Sequence, residues 1–166
     1  MRRTDASGFS LIEVVIALGM LAAVLLSIGG LFVIGSRTVR SGRASSESMA
    51  MAKKISEDMG GWGFTQLWGN FGLSGSGQTT YTIDCRTNTA NGFCPGWQTT
   101  IQGELGTTAY STITLTSVTD AAGNTPVFVE AATGATKARN VRVLITVFWT
   151  EITGRTRNIQ LDTTRN

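Results

Sequence analysis

Residues 14–34 carry no charge and no proline, and Ser27 is the only polar side chain among them. A run of about 21 apolar residues at 1.5 Å per residue crosses the ~30 Å of hydrocarbon in a bilayer. It therefore predicts a transmembrane helix. Residues 9–12 extend the run backwards past a single interruption, Glu13. Beyond the apolar run, residues 36–59 contain no proline and place Met49, Ala52, Ile55 and Met59 at helical spacing. Arg40, Arg43, Glu47, Lys53, Lys54, Glu57 and Asp58 take the other faces, as expected of an amphipathic continuation. Gly60-Gly61 is the stop signal. One helix of about 50 residues, from Phe9 to Met59 and roughly 75 Å long, is expected.

The pattern then changes period. Residues 62–77, rich in Gly, Asn, Phe and Trp, read as an irregular loop. Strands are expected over Thr79–Asp84, Trp97–Gln102, Tyr110–Val118 and Val127–Glu130. The clearest signal is last. Val141, Val143, Ile145, Val147 and Trp149 alternate with Arg142, Leu144, Thr146, Phe148 and Thr150, the period-two signature of a half-buried strand. A turn near Thr153-Gly154-Arg155 leads into residues 157–162, where Ile159 and Leu161 alternate with polar positions, completing a β-hairpin. The fold class is α+β: a long N-terminal α-helix with a membrane-spanning first half, packed on a C-terminal antiparallel β-sheet head.

Composition narrows the chemistry. The chain of 166 residues contains no histidine, which removes the usual general base, the commonest metal ligand and every histidine-containing triad. A formal net charge of +3 is too small to imply a polyanionic partner. The only cysteines, Cys85 and Cys94, have neither zinc nor thioredoxin spacing. A disulfide closing a short loop is the preferred reading and suits an extracytoplasmic compartment, with two unlinked thiols as the alternative. No cofactor and no catalytic activity are expected.

The residues around Glu13 carry a more specific pattern. After a short basic leader, Met1 to Ser7, comes Gly8-Phe9-Ser10-Leu11-Ile12-Glu13-Val14. This segment and the apolar helix behind it closely resemble the processing site of type IV prepilins, a family that includes the type II secretion pseudopilins. The resemblance is specific over residues 1–60 and architectural beyond, where a helix laid on an antiparallel sheet is also the usual pilin head. It implies cleavage between Gly8 and Phe9 by a prepilin peptidase, with N-methylation of the new terminal Phe9. Glu13 matches the family's acidic residue, which meets the terminal amine of a neighbouring subunit during assembly. The implied organisation is a leader (1–8), a transmembrane and assembly half-helix (9–35), an exposed half-helix (36–59) and a head (60–166). Implied partners are other pilin or pseudopilin subunits, the peptidase, the inner membrane and an assembly platform. The implied location is the inner membrane as a single-pass protein, then the periplasm or a surface pilus.

Physical chemistry supports a role for the glutamate beside the resemblance. A carboxylate in an apolar helix costs a few kcal/mol, so it is usually functional; the alternative is a tolerated charge near a helix N-terminus. Gly19, Ala23, Ser27 and Gly30 form a row of small residues that would let helices approach closely. Their abundance in membrane helices is the alternative explanation. Arg2 and Arg3 before the apolar run face Arg37, Arg40 and Arg43 after it, so the basic-residue count does not favour a cytoplasmic N-terminus. A secretory signal peptide fits less well, because its apolar core is usually about 7–15 residues.

Other constellations are weak. Asp120-Ala121-Ala122-Gly123-Asn124 has too few oxygen ligands for calcium and reads as a turn. No spacing selects two of Asp84, Glu104, Asp120, Glu130 and Glu151 as a carboxylate pair. Arg139, Arg142, Arg155, Arg157 and Arg165 are placed to touch DNA phosphates, although a solvated strand face accounts for them better. Trp62, Trp68, Trp97 and Trp149 read as core and loop anchors.

Overall fold

The computed structural model describes residues 10–72, 78–89, 92–118, 140–151 and 153–165. The strand expected over Val127–Glu130 and the turn at Asp120–Asn124 lie outside them. The chain divides into two compact units, one ending at Gly42 and the other beginning at Arg43. A single helix, α1 (Leu11–Gly60), contributes to both.

In the first unit every residue of α1 from Leu11 to Arg40 is exposed. Its helical state follows from a proline-free run of aliphatic residues, and its hydroxyls do not disturb it. Ser27 Oγ donates to the Ala23 carbonyl at 2.9 Å, and Ser36 Oγ and Thr38 Oγ1 donate to the Val33 and Ile34 carbonyls at 3.0 and 3.1 Å. Each hydroxyl thus satisfies its proton within its own helix, which is what a nonaqueous environment requires.

The second unit is the head. It contains the end of α1, two short helices, α2 (Phe64–Asn70) and α3 (Cys94–Leu105), and four strands, β1 (Thr80–Asp84), β2 (Tyr110–Ser117), β3 (Val141–Thr150) and β4 (Thr156–Arg165). The strands form one antiparallel sheet in the order β1-β2-β3-β4. Register brings the apolar alternation into rows: Ile83, Ile113, Ile145 and Leu161 are successive cross-strand partners, as are Tyr81, Leu115, Val143 and Thr163. A one-residue slip would send every one of these side chains to the other face. Against this face α1 lays Ala52, Ile55 and Met59, all buried in the same core. Fully burying one such isoleucine contributes roughly 1.5–3 kcal/mol.

The other face of the sheet is polar and rich in threonine. Thr80 pairs with Thr116 and Thr82 with Thr114, and the hydroxyls of the latter pair are hydrogen-bonded at 2.9 Å. β-Branched side chains with a polar tip suit a pleated surface of this kind. The β3–β4 turn is closed by the Gly154 N–H donating to the Glu151 carbonyl, and Gly154 supplies the positive φ (78°) that the turn requires.

Three expectations need correction. Residues 97–102 are part of helix α3 and not a strand. Trp97, Thr99, Thr100 and Ile101 have β propensity, but Pro95 opens a helix well, and Cys94, Trp97 and Ile101 at three- and four-residue steps all become buried. The supposed loop after the glycines contains α2, whose Leu67 is buried together with Phe71 four residues on. On α1, Met49 is 39% exposed and Ser48 takes its place against the head. Helical geometry puts Ser48, Ala52, Ile55 and Met59 on one face, and the Ser48 hydroxyl donates to the Ser45 carbonyl at 2.9 Å.

Candidate functional site

The candidate site is the beginning of α1. The Ser10 carbonyl accepts the Glu13 N–H at 2.9 Å and the Val14 N–H at 3.3 Å, so Ser10 stands at the N-cap and Glu13 in the first turn. Gly8 and Phe9, the expected cleavage and methylation positions, lie outside the described residues. Ser10-Leu11-Ile12-Glu13 also has the S-x-x-E form of a capping box before an apolar run, a signal that the sequence reading passed over. Glu13 is exposed and makes no side-chain hydrogen bond or ion pair among the described residues. The nearest following charge in the chain is Arg37. A negative charge in this position gains about 0.3–1 kcal/mol from the positive end of the helix.

The small residues Gly19, Ala23, Ser27 and Gly30 occupy one side of α1, within about a quarter-turn by 100° steps. Among the described residues nothing lies within 4 Å of a β-carbon built at Gly19 or Gly30, so they leave the row open to an approaching surface. Every large apolar side chain from Leu11 to Ile34 is likewise exposed, several of them more than two-thirds.

The other expected features fall in the head. Cys85 and Cys94 are joined by a disulfide that ties the end of β1 to the start of α3. Both half-cystines are buried. Beside it Trp62, Phe71, Phe93 and Trp97 form a ring cluster with centroids 4.8–6.3 Å apart, and the Trp97 indole Nε1–H donates to Asp58 Oδ2 of α1 at 2.8 Å. Aromatic packing of this geometry stabilises beyond area burial alone.

Of the arginines considered for DNA, Arg139 lies outside the described residues and Arg155 is exposed. Arg142 pairs with Asp162 across β3 and β4, and Arg157 pairs with Glu151 at 3.2 Å. Arg165 has a role the sequence reading did not find. Its guanidinium donates to the carbonyls of Met59 (2.6 Å), Gly60 (3.0 Å) and Trp62 (2.7 Å), closing the C-terminus of α1 from the far end of the chain. A cation there also meets the negative end of the helix. A shallow cleft of about 190 Å³ beside this contact is lined by Ser56, Met59, Gly60, Val143, Thr163 and Arg165.

Two head carboxylates are held below the usual carboxylate range by arginine hydrogen bonds, Asp84 by Arg86 and Asp162 by Arg142. A depressed carboxylate favours the fold above its unfolded pKa, near 3.9, and loses that contribution as pH falls through the lower folded value. The thermal midpoint of the head should thus be flat from about pH 7 to 5 and decline below about pH 4. In D84N/D162N the acid decline should be smaller; an identical decline would mean that other groups govern it. Both pairs are largely solvent-screened, so the effect is modest.

Comparison of the chain with protein-family models, with curated proteins and with solved structures yields no match.

Proposed function

We propose that the chain is a type IV pilin-like filament subunit of the minor-pilin kind. In this reading it is made as a precursor, cut between Gly8 and Phe9, and N-methylated at Phe9 by a prepilin peptidase. The observation that carries the reading is a conjunction. A Gly-Phe processing pattern with Glu13 five residues after the glycine opens a helix whose first buried residue is Ser48. A helix so apolar and so unpartnered needs lipid around it in storage and other helices around it in an assembly.

The mechanism follows from that need. The bilayer holds the apolar half-helix until an assembly platform lifts the subunit out, and neighbouring subunits' helices then replace lipid. The row of small residues permits close approach. Glu13 pairs with the Phe9 amine of an adjacent subunit and sets axial register, since a buried charge is tolerated mainly when paired. The head, with its disulfide, faces the extracytoplasmic side.

A type II secretion pseudopilin is the second reading. The absence of any proline before Pro95 favours a minor pilin or a pseudopilin over a major pilin, many of which have a proline-kinked helix. Neighbouring genes for a retraction motor or for a secretin-linked exoprotein operon would separate the two. A membrane-anchored binding or enzymatic domain is the reading from another class, and cleavage discriminates against it. The test is the intact mass and N-terminal sequence of membrane-extracted protein made with and without a prepilin peptidase. The expected result is N-methyl-Phe9 only when the peptidase is present. A chain beginning at Met1 in both cases would overturn the proposal.

A further inference from the structure

We infer that Arg37 and Arg40 form a binding site for anionic phospholipid headgroups on α1, just beyond Ile34. The inference rests on the membrane-spanning reading of residues 14–34 and names the lipid chemistry at its far end. With those residues filling the hydrocarbon, a 1.5 Å rise places Arg37 about 4.5 Å and Arg40 about 9 Å past Ile34. The polar zone on each side of a bilayer is roughly 5–8 Å deep, so Arg37 lies within it and the Arg40 backbone just past its outer edge. Helical side chains tilt toward the helix N-terminus, and the flexible stem of Arg40 lets its guanidinium reach back to phosphate level.

Their surroundings in the chain leave both charges unmatched. Residues 33–44 include no aspartate or glutamate, so no carboxylate is within one turn of either arginine. Neither side chain has a hydrogen-bond or ion-pair partner among the described residues, and both residues are exposed. Arg43 differs. Its Nε lies 2.6 Å from Glu47 Oε1, and that pair consumes the first acidic residue of the exposed half-helix. The hydroxyls of Ser36 and Thr38, which flank Arg37, donate to backbone carbonyls of their own helix.

Arg37 and Arg40 are three residues apart, about 60° around the helix, so they present two planar donor forks on one side. Such forks match phosphate oxygens in pairs, and a headgroup with net negative charge leaves no competing cation at the same depth. The site also gives a physical reason for the two unpaired arginines, Arg37 and Arg40, on the C-terminal side of the span. They act on lipid at the outer boundary and fix the depth at which the helix rests.

The test uses the full chain in nanodiscs of equal phosphatidylcholine and phosphatidylglycerol, released for native mass spectrometry so that retained lipids are counted. A parallel sample is floated with vesicles of the same composition after an alkaline wash, which reports insertion. Each arginine near an anionic surface favours it about fivefold, so the wild-type chain should retain phosphatidylglycerol over phosphatidylcholine by about thirtyfold. R37Q/R40Q should fall to parity and remain inserted, R37K/R40K should keep most of the preference, and R43Q should keep all of it. Equal retention by wild type and R37Q/R40Q, with both inserted, would overturn the lipid site and leave the filament reading intact. If that double variant also lost chain-to-chain cross-linking, the arginines would belong to a subunit contact instead. A chain washed off the vesicles would overturn both the lipid site and the membrane-stored subunit.

Discussion

Glu13→Ala is expected to be inserted and cleaved like the wild type but to fall at least 100-fold in filament incorporation. The reasoning is electrostatic. Cleavage after Gly8 would place a cationic amine at Phe9, in a segment whose only acidic side chain before the basic residues at 37–43 is Glu13. Surrounded by neighbouring helices, that amine loses water, and removing the partner of a buried charge costs about 3–5 kcal/mol. In the membrane the same amine stays near the interface, where water remains, so storage tolerates the change. Glu13→Asp should recover part of the incorporation and Glu13→Gln little. The measurement compares the N-terminal mass of the membrane pool with the amount of variant in sheared filaments. Wild-type incorporation of Glu13→Ala would remove the docking role.

Arg165→Ala should lower the stability of the head by about 2–4 kcal/mol, the range for a charged group making several hydrogen bonds to carbonyls that are then left unmatched. For a head of this size that is a fall of roughly 10 °C in thermal midpoint. The change is readable through the fluorescence of Trp62 and Trp97, whose rings lie 5.9 Å apart beside the clamp. Arg165→Lys should recover only part of the loss, because a point charge cannot reach three carbonyls in a fan. A midpoint within a degree or two of wild type for Arg165→Ala would mean that water replaces the guanidinium without cost.

The contrast between Gly60-Gly61 and Arg165 shows what the chain's own pattern reveals. The glycine pair marked the end of α1 to within a residue, yet neither glycine is in the left-handed region that commonly terminates helices. The terminal carbonyls are met by a side chain about a hundred residues away. A local signal located the boundary; the device that stabilises it is long-range and leaves no trace in a window of neighbours. The β3–β4 hairpin was legible because strict alternation on one buried face admits a single register. Helix α3 was missed because its threonines and tryptophan resemble a strand when counted by propensity, and only the burial of Cys94, Trp97 and Ile101 reveals the helical period. At the candidate site the carboxylate was legible as an anomaly in an apolar run. The row of small residues was legible only as spacing, and its openness is a fact of three dimensions.

The disulfide has a mechanical consequence for any subunit placed under tension. A polypeptide being stretched gives up about 3.3–3.6 Å for each residue released from the fold. Cys85 and Cys94 are nine apart in sequence and bonded through their sulfurs, so the eight residues between them cannot enter the extended strand while the bond persists. About 25–30 Å of contour length is therefore withheld. A head pulled apart in reducing conditions should lengthen by that much more than one pulled apart in oxidising conditions. The bond thus sets a ceiling on how far the head can yield before the chain is taut.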